Sequence, residues 1–418
     1  MAAFGTGTVA GRLLSVLLTA VALALAYVVG SRLAQVGDRF DARAGGRAAV
    51  IALASLPWTM RFGSETRMYV LVVVLVLCGS LALLAVHRSA SRRAVTALAV
   101  VVAALLLTHY WSLFLLTTVG LLHLPALLRR RPAAVRVAVA GGLGALAFLP
   151  WLPTFLFQAT HTGAPWARPV ALGELVFAPW LWGGGSADER GALAVLLVGL
   201  VAVAVVRAAP GRVLAAVTVL TLVLAWLSVV TGGGAYAARY TAVVVPLVAL
   251  AAALGALALP GREPPLLALA VLVVVGVVTG VPHAGFTRTP AADIVAAYRE
   301  TAAPGDLLVS CPDQLAPPVA RLLGDEPRQV VYPSLGEPEL IDWVDYADRQ
   351  DAADPDEVAA QLDALAGDRA VYLLRARGYR TFEGDCEELY RALRRLRGEA
   401  TVPYGVPATV RQVLYRFE

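Results

Sequence analysis

Lysine is absent from the 418-residue sequence, so each of its 35 cations is an arginine. Cysteine is scarce, and three residues are too few to build a disulfide scaffold. Acids are scarce in one region only: residues 1–282 hold seven against 20 arginines, whereas residues 283–418 hold 23 against 15. The net charges of the two parts are therefore +13 and −8, and the overall +5 describes neither. With so few carboxylates in the first part, any carboxylate chemistry there rests on a short list. No phosphate-binding loop or nucleophile elbow stands out.

What is abundant is apolar surface. The hydrophobic fraction is 58% and the mean hydropathy +0.69, well above the ~45–50% of soluble domains. Apolar runs lie near 9–31, 47–60, 66–86, 94–110, 112–128, 133–151, 190–207, 212–231, 240–259 and 265–282. Spanning a bilayer takes roughly 17–25 residues, so the expectation is about ten membrane segments, with 47–60 oblique or only partly spanning. The arginines sit in short loops rather than on a solvated patch, which argues against nucleic-acid binding. Fourteen of them fall in one set of alternate loops and six in the other. The positive-inside rule assigns the richer set to the cytoplasm and places residues 283–418 outside.

Residues 283–418 read differently. "GDLLVSC", "RQVVYP" and "RAVYLLR" are strand-like, and "AADIVAAYRETA" and "CEELYRALRRLRG" are helix-like. That alternation predicts a soluble extracytoplasmic α/β domain. The whole is an all-α multi-pass membrane protein of residues 1–282 followed by this domain. Cys311 and Cys386 share an oxidising setting, and spacing alone leaves their pairing open. Cys78 is a packing residue within an apolar helix.

Three polar clusters interrupt the apolar sequence at the expected outer side. In "RFGSETRMYV", residues 61–70, Gly63 and Ser64 predict a turn and helix cap, with Glu65 and Arg67 in the first helical turn. Helical spacing then puts Glu65 and Tyr69 on one face. The simplest reading is a cap, a dipole-complementing Glu65 and snorkelling Arg61 and Arg67. The functional reading is a phosphate site at a helix N-terminus.

In "LTHYWS", residues 107–112, Trp111 reads as a belt residue, and His109 beside Tyr110 as a donor to phosphate or sugar hydroxyls. In "GGGAYAARY", residues 232–240, Arg239 is a second anion contact or an interfacial anchor. The loop 152–189 adds Gln158, His161, Trp166, Glu174 and Asp188, with Ser186 and Glu189 at capping-box spacing. No spacing of His109, His161 and a carboxylate resembles a metal site. A divalent metal has no support in the sequence, and no cofactor is expected.

A carboxylate, arginines and aromatics at helix tips suit a ligand whose tail lies in lipid and whose phosphate sits at the surface. The order of "SETRMYVL", "THYWSLFLL", "FLPWLPTFLFQ" and "ARYTAVVVPLVAL" resembles the GT-C glycosyltransferases of the protein-mannosyltransferase and aminoarabinose-transferase superfamily, in particular bacterial family 39-like proteins. The resemblance implies a GT-C-like helical bundle in a bacterial plasma membrane. It implies transfer of a sugar, mannose or similar, from a polyprenyl-phosphate donor to a glycan, lipid or protein acceptor at the extracytoplasmic face, with inversion.

Motif by motif, Glu65 falls on the catalytic carboxylate of "ExRxY". Arg67 and Tyr69, His109 and Tyr110, and Arg239 and Tyr240 fall on substrate-binding positions. The opening "FGTGTVAGRLLSVLLTAVALALAYVVG" resembles the family's second helix, with Arg12 and Ser15 in register, so the expectation is an upstream helix and a loop bearing the principal Asp. Glu65 would then be a secondary carboxylate. Membrane lipids are partners on any reading. Two other functions fit the pattern: a lipid-linked glycan flippase, and a catalytically incomplete membrane scaffold.

Overall fold

The computed structural model describes residues 8–36, 39–162, 171–176, 178–183, 187–232, 235–284, 289–324, 328–379, 381–405 and 411–418. The chain forms two compact units, one of Met1–Pro153 with Pro169–Phe286 and one of Thr154–Arg168 with Thr287–Glu418.

The first unit is helical. Among the described residues of the whole chain, five helices are long and apolar enough to cross a membrane: Val9–Ala34, Tyr69–Arg88, Pro132–His161, whose last residues from Thr154 belong to the second unit, Ala209–Gly232 and Glu263–Pro282. Ser112–Leu128, Gly191–Arg207 and Val245–Leu257 are shorter apolar helices, and Arg92–Thr108 is another helix of 17 residues. Such segments become helices because lipid leaves no other partner for their backbone groups.

The sequence segment 47–60 resolves into two pieces. Ala42–Ala54 is capped by Asp41, whose side chain accepts from the Ala44 N–H, and Pro57 starts the separate helix Pro57–Phe62. Proline cannot donate to the previous turn and restricts the residue before it, so the helix stops there. At 13 residues the first piece is about 20 Å long, short of a ~30 Å hydrocarbon core.

The centre of this unit is Val245–Leu257, in which every residue from Val245 to Ala256 is buried. Its neighbours approach closely because small residues let backbones meet. A Cβ on Gly255 would lie 1.8 Å from the Leu200 carbonyl oxygen, and at a separate crossing of the same unit one on Gly276 would lie 1.9 Å from that of Ser55. Gly255→Ala must therefore push two helices apart, at an expected cost of about 1–3 kcal/mol. Thermal unfolding in detergent checks this, with Gly141→Ala as control, since a Cβ there meets nothing within 4 Å.

The second unit holds a five-stranded sheet of β1 (Leu307–Cys311), β2 (Arg328–Val331), β3 (Val371–Ala376), β4 (Thr401–Tyr404) and β5 (Gln412–Phe417), in the order β2-β1-β3-β5-β4. β1 pairs parallel with β2 and β3, and β5 runs antiparallel between β3 and β4. β1 and β3 are buried along their whole length, as strands covered on both faces require. Pro355–Ala366 and Glu383–Arg397 contribute to the core on one face, and Ala291–Thr301 and Ala316–Leu323 to that on the other. Cys311 at the end of β1 is bonded to Cys386, with Cα atoms 5.5 Å apart.

Candidate functional site

Residues 63–68 form a turn, and the helix begins only at Tyr69, with Met68 at its cap position. The expectation that Ser64 caps this helix and that Glu65 and Arg67 lie in its first turn is corrected. The reason is tertiary: the Ser15 hydroxyl donates to the Glu65 carbonyl at 2.7 Å, and the Thr19 hydroxyl to the Gly63 carbonyl at 2.9 Å. Two hydroxyls of the helix Thr8–Ala34 thus hold the turn, so Glu65 and Tyr69 are not neighbours by helical spacing. Ser64 instead makes long contacts of 3.4 Å to the carbonyls of Met60 and Arg61. Gly63 fits because a Cβ there would lie 2.5 Å from the Thr59 carbonyl.

Glu65 is half-buried, and its Oε2 is fully buried without a hydrogen-bond partner. Arg67 is exposed, and Tyr69 is 3% exposed. The charges acting on the Tyr69 phenol are those of Arg239, Arg67 and Glu65. These residues from two distant motifs therefore share one electrostatic environment.

The third motif joins through rings. His109 lies 6.1 Å from Tyr69 and 5.3 Å from Tyr240 between ring centroids, and Tyr69 lies 6.5 Å from Tyr240. Trp111 packs 5.7 Å from Tyr240 and 5.2 Å from Tyr236, while Phe62 packs 5.4 Å from Tyr69. The Arg239 guanidinium sits 4.9 Å over the Tyr240 ring. At His109 the helix Arg92–Thr108 ends, and the Trp111 N–H donates to His109 Nδ1 at 3.1 Å. With Nδ1 accepting, the neutral imidazole carries its proton on Nε2 and is a donor there.

Arg239 and Tyr240 lie on a 3₁₀ turn, Ala238–Val243, ahead of the buried helix. Two tryptophans anchor it: Trp58 Nε1–H donates to the Ala238 carbonyl and Trp182 Nε1–H to the Thr241 hydroxyl, both at 2.8 Å. Trp58, Phe62, Trp182 and Thr241 were not singled out from sequence. An indole's need for a hydrogen-bond partner when buried was the only local signal for the tryptophans.

Tyr110 takes another direction: its hydroxyl accepts from Trp151 Nε1–H at 3.0 Å. His161 belongs to the second unit, where its ring stacks on Phe157 at 4.1 Å and its carbonyl accepts from the Asp345 N–H. Trp166 and Ser186 lie outside the described residues, as do Gly233 and Gly234 and the side chains of Glu174, Asp188 and Glu189. Among the described residues no three His, Cys, Asp or Glu side chains gather as a metal group.

The arrangement offers a carboxylate oxygen with unused acceptor capacity, two guanidinium groups, an imidazole and an aromatic floor. Guanidinium suits phosphate oxygens, and aromatic rings suit the apolar faces of a bound molecule. Comparison with known protein families and with curated proteins finds no match. The site has to be read from its own chemistry.

Proposed function

We propose that the protein is an integral membrane glycosyltransferase. It moves a sugar from a polyprenyl-phosphate donor to a hydroxyl acceptor at the extracytoplasmic face of a bacterial plasma membrane. The observation that carries this reading is the buried Glu65 Oε2, which has no hydrogen-bond partner and whose carboxylate acts, with Arg67 and Arg239, on Tyr69. A buried carboxylate oxygen without a donor is costly to maintain, and an acceptor hydroxyl would supply the missing hydrogen bond.

In the proposed step, the acceptor oxygen attacks the anomeric carbon while the carbon–oxygen bond to phosphate breaks with inversion. The bonding pair leaves on the phosphate oxygen, and the hydroxyl proton passes to Glu65. Arg67 and Arg239 oppose the phosphate charge, a contribution that is often large in catalysis. His109 Nε2–H donates to the phosphate or the sugar. Tyr240, held under Arg239, forms the wall against the sugar ring, and the buried Tyr69 packs behind it at 6.5 Å between ring centroids.

The test is sugar transfer by purified protein in vesicles containing a polyprenyl-phosphate sugar. Arg67→Ala is expected to lower kcat/KM about 10–100-fold, the scale of a lost charged hydrogen bond. Arg67 is exposed, so the thermal midpoint should not move. Wild-type turnover in this variant removes the phosphate assignment. Movement of lipid across the bilayer without transfer replaces the enzyme with a flippase.

A further inference from the structure

The helices that carry the aromatic cluster meet at their far ends in a surface of a different kind. From Thr66 to Gly173 the chain has no acid. Within that stretch Tyr69–Arg88 turns into Arg92–Thr108, and Ser112–Leu128 turns into Pro132–Phe148. The two turns are tied together: His87 Nε2 lies 3.0 Å from His123 Nε2, and Arg136 Nη2 donates to the Val86 carbonyl at 3.0 Å. One turn bears Arg88, Arg92 and Arg93, the other Arg129, Arg130 and Arg131, and all six are exposed.

The positive-inside rule counts charges, and it does not explain where these sit. Arg39, Arg207 and Arg212 donate to the carbonyls of Arg207, Ala258 and Val205. The six have no side-chain hydrogen bond or ion pair among the described residues. Arg92 and Arg93 open their helix, and Arg131 is the cap residue before Pro132. Neither helix has an acid in its first turn or a side chain capping it. A cation at the positive end of a helix dipole is unfavourable, and the N–H groups exposed there suit an anion. An anion between the turns relieves both.

Arg130 is also placed at a cost. Its N–H donates to the Leu127 carbonyl and that of Arg131 to the Ala126 carbonyl, closing the helix in a Schellman turn with Arg130 at a φ of 53°. Glycine is the usual occupant of that position. Beside the arginines runs an apolar face: Leu121, Leu124 and Leu128 are exposed at helical spacing, as are Val135 and Val139 on the next helix. Apolar stripes that end in guanidinium groups match a lipid, with its tails on the stripes and its phosphate on the arginines.

We propose that this face binds an anionic phospholipid carrying two phosphates, one at Arg88, Arg92 and Arg93 and one at Arg129, Arg130 and Arg131. Each group of three lies beside a helix start without a cap, and Arg–phosphate contacts are charge-assisted. An arginine at a membrane surface is worth about fivefold in affinity for anionic lipid. The site is independent of the transferase reading and uses none of its residues.

The test places delipidated full-length protein in nanodiscs of phosphatidylcholine that contain either diphosphatidylglycerol or twice as much phosphatidylglycerol, so that phosphate charge is equal. Native mass spectrometry counts the lipid retained. The expected result is one diphosphatidylglycerol, held in preference to phosphatidylglycerol. Arg92→Gln with Arg93→Gln should weaken retention about 10–100-fold, whereas Arg262→Gln, in the exposed turn before Glu263–Ala284, should leave it unchanged. Arg130→Gly should weaken retention about fivefold and yet raise the melting temperature in detergent, because glycine accepts the positive φ. Inorganic pyrophosphate should not displace the lipid. Equal retention of phosphatidylglycerol, full retention in the Arg92 and Arg93 double variant or in Arg130→Gly, an equal loss in Arg262→Gln, or displacement by pyrophosphate would each overturn the proposal.

Discussion

Glu65→Gln is expected to lower sugar transfer about 10²–10⁴-fold, the range for losing a positioned general base. The substitution keeps the shape of the side chain and the backbone contact through which Ser15 holds the turn. Folding should therefore be unaffected, and the loss should appear in kcat rather than in donor affinity. The amide can still accept a hydrogen bond but cannot take the proton, which separates catalysis from positioning. The informative comparison is with Ser15→Ala, which frees the Glu65 carbonyl and lets the turn move without changing its charge. A smaller, mixed effect on kcat and KM is expected there. Full activity in Glu65→Gln would remove Glu65 as the base and leave the cluster as a binding surface. The measurement is initial-rate transfer in vesicles, with circular dichroism to confirm that both variants are folded.

Breaking Cys311–Cys386 should destabilise the second unit by about 4 kcal/mol, from the entropy of closing a loop of that size in the unfolded chain. The sequence separation is 75 residues, and that long interval is why the expected effect is large. The bridge ties the end of β1 to the helix Glu383–Arg397. Both cysteines are buried, at 0% and 1% exposure, so mild reductant acts only when the unit opens. Cys311→Ser with Cys386→Ser should lower the melting transition of this unit by more than about 10 °C. Limited proteolysis should then cut within residues 287–418 sooner than in wild type. Unchanged melting of the double variant would mean that sheet and helix packing alone set its stability.

Much of the architecture was legible because its signals are local. Long apolar runs without acids favour membrane helices, and each of the ten sequence segments contains helix. The three parallel strands were visible as short apolar pieces alternating with helix-like ones. The hairpin of β4 and β5 was not, since "TVPY" is too short to read alone and "QVLYRF" gains meaning only beside β3.

Local rules failed at Ser64 for an identifiable reason. A serine before a glutamate favours a helix start, but here Ser15 and Thr19, about 50 residues away, claim the carbonyls of Glu65 and Gly63. The same limit explains the site. Glu65, Tyr69, His109, Arg239 and Tyr240 were found as separate motifs, and the structure brings them into one neighbourhood. Tyr110, the neighbour of His109 in sequence, turns instead to Trp151. Nothing adjacent to Trp58 or Trp182 in the chain betrays a partner lying some 180 or 59 residues away.

The helix Val245–Leu257 carries a consequence for how the protein is made. Its composition is as apolar as that of any lipid-facing helix, yet in the folded protein its residues from Val245 to Ala256 touch other side chains instead of solvent or lipid. During synthesis it enters the bilayer before the helix Glu263–Ala284 exists to cover it. The helices that contact it most, Ala42–Ala54 and Ala187–Arg207, precede it in the chain and are already made when it emerges. The order of the chain thus lets this centre be covered as it forms, and the helix Glu263–Ala284 adds only the last of its cover.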